Sequence, residues 1–164
     1  MKTNSLVTIL IFFIVFLMQA YCSDTPEKFF KLFPIGKVEK RGDDTVITIF
    51  EKYSDALNGL QDFSHVVVLY WFHKNDTPEK REILQVHPRG NSENPLTGVF
   101  ACRAPVRPNL IALTVCKIVS IEGCTIHIDK IDAFDQSPVI DLKPYIPRID
   151  NPQEDVRLPK WLKE

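Results

Sequence analysis

The chain has 164 residues, 45% of them hydrophobic and 25% charged, with 20 Lys plus Arg against 21 Asp plus Glu for a formal net charge of −1. That is enough for one domain with its own core, too little for two full-sized domains and too apolar for a disordered polymer. The balanced charge excludes a generally basic nucleic-acid binder, so any RNA contact must come from a local patch.

At the start, Lys2 precedes an apolar run from Leu6 to Met18, followed by Ala20-Tyr21-Cys22-Ser23. A short basic start, an apolar run and small residues at −3 and −1 predict a secretory signal over residues 1–22, cut after Cys22. Tyr21 sits where a lipid-modified Cys22 would want a small residue. A membrane-tethered, uncut form is one alternative, and translation from Met18, giving a cytoplasmic protein, is another. Removing residues 1–22 takes away only Lys2 among the charges, leaving 19 basic against 21 acidic side chains. The expected organisation is therefore residues 1–22 as signal or tether, 33–150 as one domain, and 151–164 as a tail.

Phe33 to Val38 and Thr45 to Phe50 flank Arg41-Gly42-Asp43-Asp44 and read as a hairpin. Ser54 to Leu57 is a helical turn stopped by Asn58-Gly59. His65 to Phe72 runs apolar without alternation, as a strand buried on both faces would. Asp76-Thr77-Pro78-Glu79 predicts a capped short helix ending near Ile83. His87 to Gly98, with Pro88, Gly90 and Pro95, is a long surface loop of the kind that carries function.

Val99 to Cys102 returns to strand, and Arg103 to Asn109 is too rich in Pro for sheet or helix. Leu110 to Ile121 and Thr125 to Ile131 form a hairpin about Glu122-Gly123, pairing Ile121 with Cys124 and Cys116 with Asp129. Cys116 and Cys124 are then not partners, and Cys102, Cys116 and Cys124 are expected to be packed thiols. Asp132 to Pro138 is a loop, Val139 to Leu142 a last strand, and Leu158 to Leu162 a segment that docks on the body. Six or seven strands with short helical pieces predict a mainly β fold, a single closed or nearly closed antiparallel barrel.

No Gly-rich strand-to-helix turn, HExxH, P-loop or GxSxG is present. His65, His73, His87 and His127 are scattered, and no metal site is expected. Two stretches carry chemistry. Arg103 and Arg107 on a loop stiffened by Pro105 and Pro108 can present guanidinium forks to a carboxylate or phosphate, or simply cap a rim. Asp129, Asp132, Asp135 and Asp141 can accept from a ribose or an amine, or stand as solvated edge residues.

The flanks of these stretches are more specific. Gly98-Val99-Phe100-Ala101-Cys102-Arg103-Ala104-Pro105-Val106-Arg107-Pro108-Asn109-Leu110-Ile111-Ala112-Leu113-Thr114 resembles the GVFATRSPxRPNPIGLS signature of the TrmO-like (TsaA-like) family. Asp132 to Pro147 is similar to its DxxDGTPVLDIKPYxP, and Gly59 to His73 to its GLexFSHxWxLfwFH. The resemblance spans Phe33 to Asp150 in order. Four positions depart from it: Cys102 replaces Thr, Leu110 replaces Pro, Ala112 replaces Gly, and Asp135-Gln136-Ser137-Pro138 replaces DGTP.

The resemblance implies a dimeric, S-adenosylmethionine-dependent tRNA methyltransferase on a β-barrel, acting on N6 of a threonylcarbamoyl-modified adenosine beside the anticodon. By motif, the cofactor contacts fall on His73, Lys74, Arg103, Leu113, Asp129, Lys130, Ile131 and Asp132. Asn109, Asp135 and Tyr145 are the expected catalytic groups: Asn109, Asp135 or, equally, Asp132 holds one amine N–H and Tyr145 orients the base or relays the proton, with Arg107 and Lys143 on the substrate. An exported protein would meet neither tRNA nor this cofactor. The competing expectation is therefore an exported, non-enzymatic barrel that binds a small molecule or a protein partner.

Overall fold

Apolar and polar residues alternate on both sides of Gly42, and the chain there folds into β1 (Gly36–Arg41) and β2 (Asp44–Ile49), with Val38 opposite Ile47. Gly42 turns with φ 62. Gly36 is required for a different reason: a Cβ there would run into the Thr48 carbonyl oxygen, so the two backbones close only on glycine.

The computed structural model describes residues 29–42, 44–151 and 156–162. The chain divides into two units, residues 1–31 and 32–164, and all elements named here belong to the second. The predicted signal, with Cys22, lies outside the described residues. No helix among the described residues is long and apolar enough to cross a membrane.

The remaining strands are β3 (His65–Trp71), β4 (Gln85–Val86), β5 (Thr97–Gly98), β6 (Ile111–Glu122), β7 (Thr125–Ile128) and β8 (Pro138–Pro144). Six close an antiparallel barrel in the order β1-β2-β7-β6-β3-β8, while β4 and β5 form a separate two-stranded sheet. The 12-residue β6 is shared. Its Ile111–Lys117 half pairs with β3 and its Ile118–Glu122 half with β7, with a register slip between Ile118 and Ser120. That stagger lets so few strands close. Val38, Ile47, Val66, Val68, Tyr70, Cys116, Ile126 and Val139 fill the interior.

The predicted closed barrel is present, and several local expectations are corrected. The hairpin turns at Gly123-Cys124, with Glu122 opposite Thr125 and Ile121 opposite Ile126. Gly123 takes φ 56 inside the turn; the later turn alone would set Asp129 against Ile118, and the slip beyond Ile118 brings it to Lys117, not Cys116. Cys116 faces Val66, and all three described cysteines are free thiols. Val99–Ala101 is a 3-10 turn, not a strand, since the chain folds back once the Val99 amide has bonded Leu84. The helix after β3 is a single turn, Pro78–Arg81, capped by Thr77. In β3, Val66, Val67 and Val68 are buried in succession but Leu69 and Trp71 are only half-buried, because no helix layer covers an antiparallel barrel.

Strict alternation of direction gives the barrel two unlike rims. The ends of β1, β3 and β7 and the starts of β2, β6 and β8 share the upper rim, from which the long connections 72–110 and 129–137 depart. The lower rim carries the Gly123 turn, the 3-10 turns of 51–62, and Tyr145.

Candidate functional site

Across the upper rim, Ile131-Asp132-Ala133-Phe134 alternates buried and exposed. Ile131 and Ala133 drop into the core, leaving Asp132 and Phe134 exposed. From inside the barrel, the Tyr70 phenol donates to the Asp132 carbonyl, with Thr114 Oγ1 3.4 Å away. Burial pushes the Tyr70 pKa up, so the phenol keeps its proton and its role as donor. The segment is clasped further along: His73 Nδ1 lies 3.2 Å from Oγ of buried Ser137, and Lys74 Nζ lies 4.3 Å from the Phe134 ring centre. Gln136 takes φ 62, the left-handed conformation that the glycine of the family motif would adopt without strain.

The facing wall comes from the 72–110 connection. Arg81 Nη1 donates to the Pro108 carbonyl at 2.9 Å, and its guanidinium lies over Trp71 and against Asp76. The Trp71 indole is the first cause of a lowered Asp76 pKa, before Arg81, so the acid stays ionised in this cluster. Within the loop, Arg107 Nη1 donates to the Cys102 carbonyl at 3.4 Å and to that of Ala104 at 3.3 Å. The loop thereby folds around its own guanidinium. Arg103 is exposed and has no hydrogen-bond or ion-pair partner among the described residues.

Between the walls is a cleft of about 1040 Å³, lined by Arg103, Val106, Phe100, Asp132, the His87–Gly90 turn and Trp161 with Leu162. The volume lies at the upper end of small-molecule sites. A cation and a carboxylate, separated by apolar and aromatic wall, suit a ligand that is itself charged at one end and aromatic at the other.

The sequence-predicted residues divide by rim. Arg103 and Asp132 line the cleft, and His73, Lys74, Ile131 and Lys130 belong to the segments around it. Asp129 bonds the Lys117 amide at 2.8 Å; desolvation raises its pKa, but the Lys117 and Lys130 amides outweigh this and the net shift is downward. Asp135 accepts from the Lys40 amide at 2.9 Å, which holds its carboxyl below the usual range and makes it a weaker base. Asn109 is exposed on the pinned loop, outside the cleft lining.

Three of the expected residues stand on other faces of the barrel. Leu113 stands on the outer wall of β6, beside exposed Val115. Lys143 is paired with Asp141 at 2.8 Å on β8, and Tyr145 packs against His65 at the lower rim. The reason is register: both follow β8 downward, a strand length of about 20 Å from the site. Sequence reasoning missed Tyr70, whose alternation with Val68 and Val66 was the available signal, and Arg89, hidden in a loop flagged only as functional. The tail was expected to dock, but not on the cleft.

The family profile described as tRNA-methyltransferase O N-terminal domain matches residues 25–151. The chain belongs to the TrmO family. It is 49% identical over 120 residues to a probable S-adenosyl-L-methionine-binding protein of Methanocaldococcus jannaschii, covering 73% of this chain and 95% of that one. It is 43% identical over 105 residues to the mouse tRNA (adenine(37)-N6)-methyltransferase, covering 64% of this chain and 24% of the mouse protein. The crystal structure of TrmO from Pseudomonas aeruginosa has the same TrmO fold, with a TM-score of 0.61 at 25% identity over 79% of this chain and 62% of that chain. The chain thus spans most of the archaeal relative but a quarter of the mouse enzyme.

Proposed function

We propose that this chain binds S-adenosylmethionine in the upper-rim cleft and methylates N6 of a threonylcarbamoyl-modified adenosine next to a tRNA anticodon. One observation carries the reading: Arg103 and Asp132, 29 residues apart in sequence, line the same cleft. The donor set fits the cofactor. A free guanidinium matches an α-carboxylate, a carboxylate matches an ammonium or ribose hydroxyls, and Phe100, Val106 and Trp161 offer wall for an adenine.

When bound, S-adenosylmethionine supplies an electrophilic methyl group on a sulfonium. The protein's part is to position, to exclude water and to handle one proton. Arg103 and Asp132 orient, and the apolar wall keeps water from the displacement. An adenine amine is a poor nucleophile, and accepting a hydrogen bond from one N–H makes it better. Asp132 is the carboxylate lining the cleft, whereas Asp135 is committed to Lys40 and Tyr145 stands at the other rim. Of the groups expected to hold the amine N–H, Asp132 is therefore the one this reading assigns to the amine proton.

A second copy covers the outer stripe of β6, in this reading a homodimer. Leu113 and Val115 are 42% and 43% exposed there, beside Val119 at 65%. Across such an interface Leu113 joins a cleft from outside.

The test is calorimetry with S-adenosylmethionine, followed by methyl transfer to an anticodon stem-loop with and without the threonylcarbamoyl group. Saturable cofactor binding with transfer only to the modified RNA is expected; absence of binding sinks the reading. The second reading, an exported non-enzymatic barrel, is favoured by the apolar Leu6–Met18 stretch. Mass spectrometry of the native N-terminus separates the two: a start at Ser23 supports export, a start at Met18 the RNA enzyme.

A further inference from the structure

Two residues other than glycine hold a left-handed backbone among the described residues, Arg89 at φ 61 and Gln136 at φ 62. Such a conformation strains any residue that carries a Cβ. Gln136 has offsetting contacts: its Oε1 accepts from Lys37 Nζ at 3.1 Å, and its Nε2 lies 3.3 Å from Asp135 Oδ1. Arg89 has no such return. Its side chain lines the cleft and has no hydrogen-bond or ion-pair partner among the described residues.

The turn beneath Arg89 is built rather than loose. Pro88 is buried, His87 Nδ1 lies 2.7 Å from the Asn94 carbonyl, Asn94 Nδ2 donates to the Pro88 carbonyl at 2.9 Å, and the Gly90 amide to the His87 carbonyl at 3.0 Å. Glycine would occupy position 89 with less strain, as it does at Gly90 with φ 68. A strained, unpaired arginine in the lining of a cleft points to what enters the cleft.

Charge says what that is. The charged side chains lining the cleft are Arg89, Arg103 and Asp132, beside His87. S-adenosylmethionine carries a sulfonium, an ammonium and a carboxylate, so its net charge is positive. With it in place, one carboxylate of the protein faces two guanidiniums and a net-positive ligand. Arg103 and Asp132 are engaged by that ligand, and Arg89 is left in excess.

Resting on the functional reading above, we propose that Arg89 is a substrate-binding residue that receives an anion carried by the methyl-accepting adenosine. A carboxylate on the base substituent and a backbone phosphodiester share this chemistry, since both take a guanidinium fork.

The experiment compares wild type, Arg89→Gly and Arg89→Lys in the full chain. It measures affinity for S-adenosylmethionine, for a threonylcarbamoyl-modified anticodon stem-loop, for the unmodified stem-loop, and for the free modified nucleoside. Arg89→Gly relieves the backbone, so its melting temperature should equal or exceed wild type, while affinity for the modified stem-loop falls about tenfold or more. Cofactor affinity stays within twofold, and Arg89→Lys recovers part of the loss.

Equal weakening for the free nucleoside assigns the carboxylate; weakening confined to the two stem-loops assigns the phosphodiester. Unchanged RNA affinity in Arg89→Gly overturns the proposal, as does a fall in melting temperature or a loss confined to the cofactor. Wild type that binds cofactor but neither RNA nor nucleoside overturns the functional reading as well, so the two failures are distinct.

Discussion

The two rims of the barrel are made from the same six strands and treat their charges in opposite ways. Toward the lower rim, side chains are spent on one another: Lys143 holds Asp141, and Tyr145 packs on His65. At the upper rim two long connections cross, and their backbones are tied down by Tyr70, Ser137, Arg81 and Arg107. Yet Arg103, Arg89 and Asp132 are left facing a cleft. Backbone fixed and side-chain charge unspent is the mark of a binding surface; charge satisfied within the fold is the mark of a structural one.

The contrast is sharpest at the arginine. Arg103→Ala should lower S-adenosylmethionine affinity by about tenfold to a hundredfold, the cost of losing a charged hydrogen-bond partner, with little change in melting temperature. Tyr145→Phe, at the other rim, should leave affinity within twofold in the same calorimetric titration; equal losses in both variants would erase the distinction between rims. Next in size is Tyr70→Phe, which leaves the Asp132 carbonyl without its buried donor and should cost about 1–3 kcal/mol of stability by denaturant titration. Because Asp132 then loses its anchor, cofactor affinity should fall severalfold as well. A variant that melts earlier but binds normally would separate core from site.

The smallest effect concerns acid. Lys37 and then Arg41 beside Glu39 hold its carboxyl down at about 2 against the ordinary 4.5. A lowered pKa contributes stability that is present above the unfolded value and is lost as pH falls from about 4.5 toward 2. Glu39→Gln should flatten the stability curve over that window and leave ligand affinity at pH 7 unchanged, since Glu39 is on β1 away from the cleft. A curve as steep as wild type would mean that other carboxylates govern acid unfolding.

The barrel was legible because hairpin signals and buried apolar runs in β1, β2, β3 and β6 are local, and closure follows when six such strands need partners. The register of β6 and β7 was not legible. A slip at Val119 costs one residue and leaves no compositional trace, yet together with the later turn it sets Asp129 against Lys117 rather than Cys116. Arg103 and Asp132 were found through their motifs, and their meeting depends on long-range topology that the motifs alone do not contain. Lys143 and Tyr145 lie away from the cleft for the converse reason: they are near Asp135 in sequence, but a strand carries them toward the far end. Ser137 and Tyr70 act from the interior, where a polar atom among apolar neighbours looks like ordinary core.

The loop that folds around Arg107 has a kinetic consequence. Since its carbonyls are already gathered by a side chain from the same loop, little ordering is left for the moment of encounter, and the entropic cost falls on folding. Association should then proceed as a single concentration-dependent step at an ordinary docking rate, about 10⁵–10⁷ M⁻¹s⁻¹, with no slow isomerisation behind it.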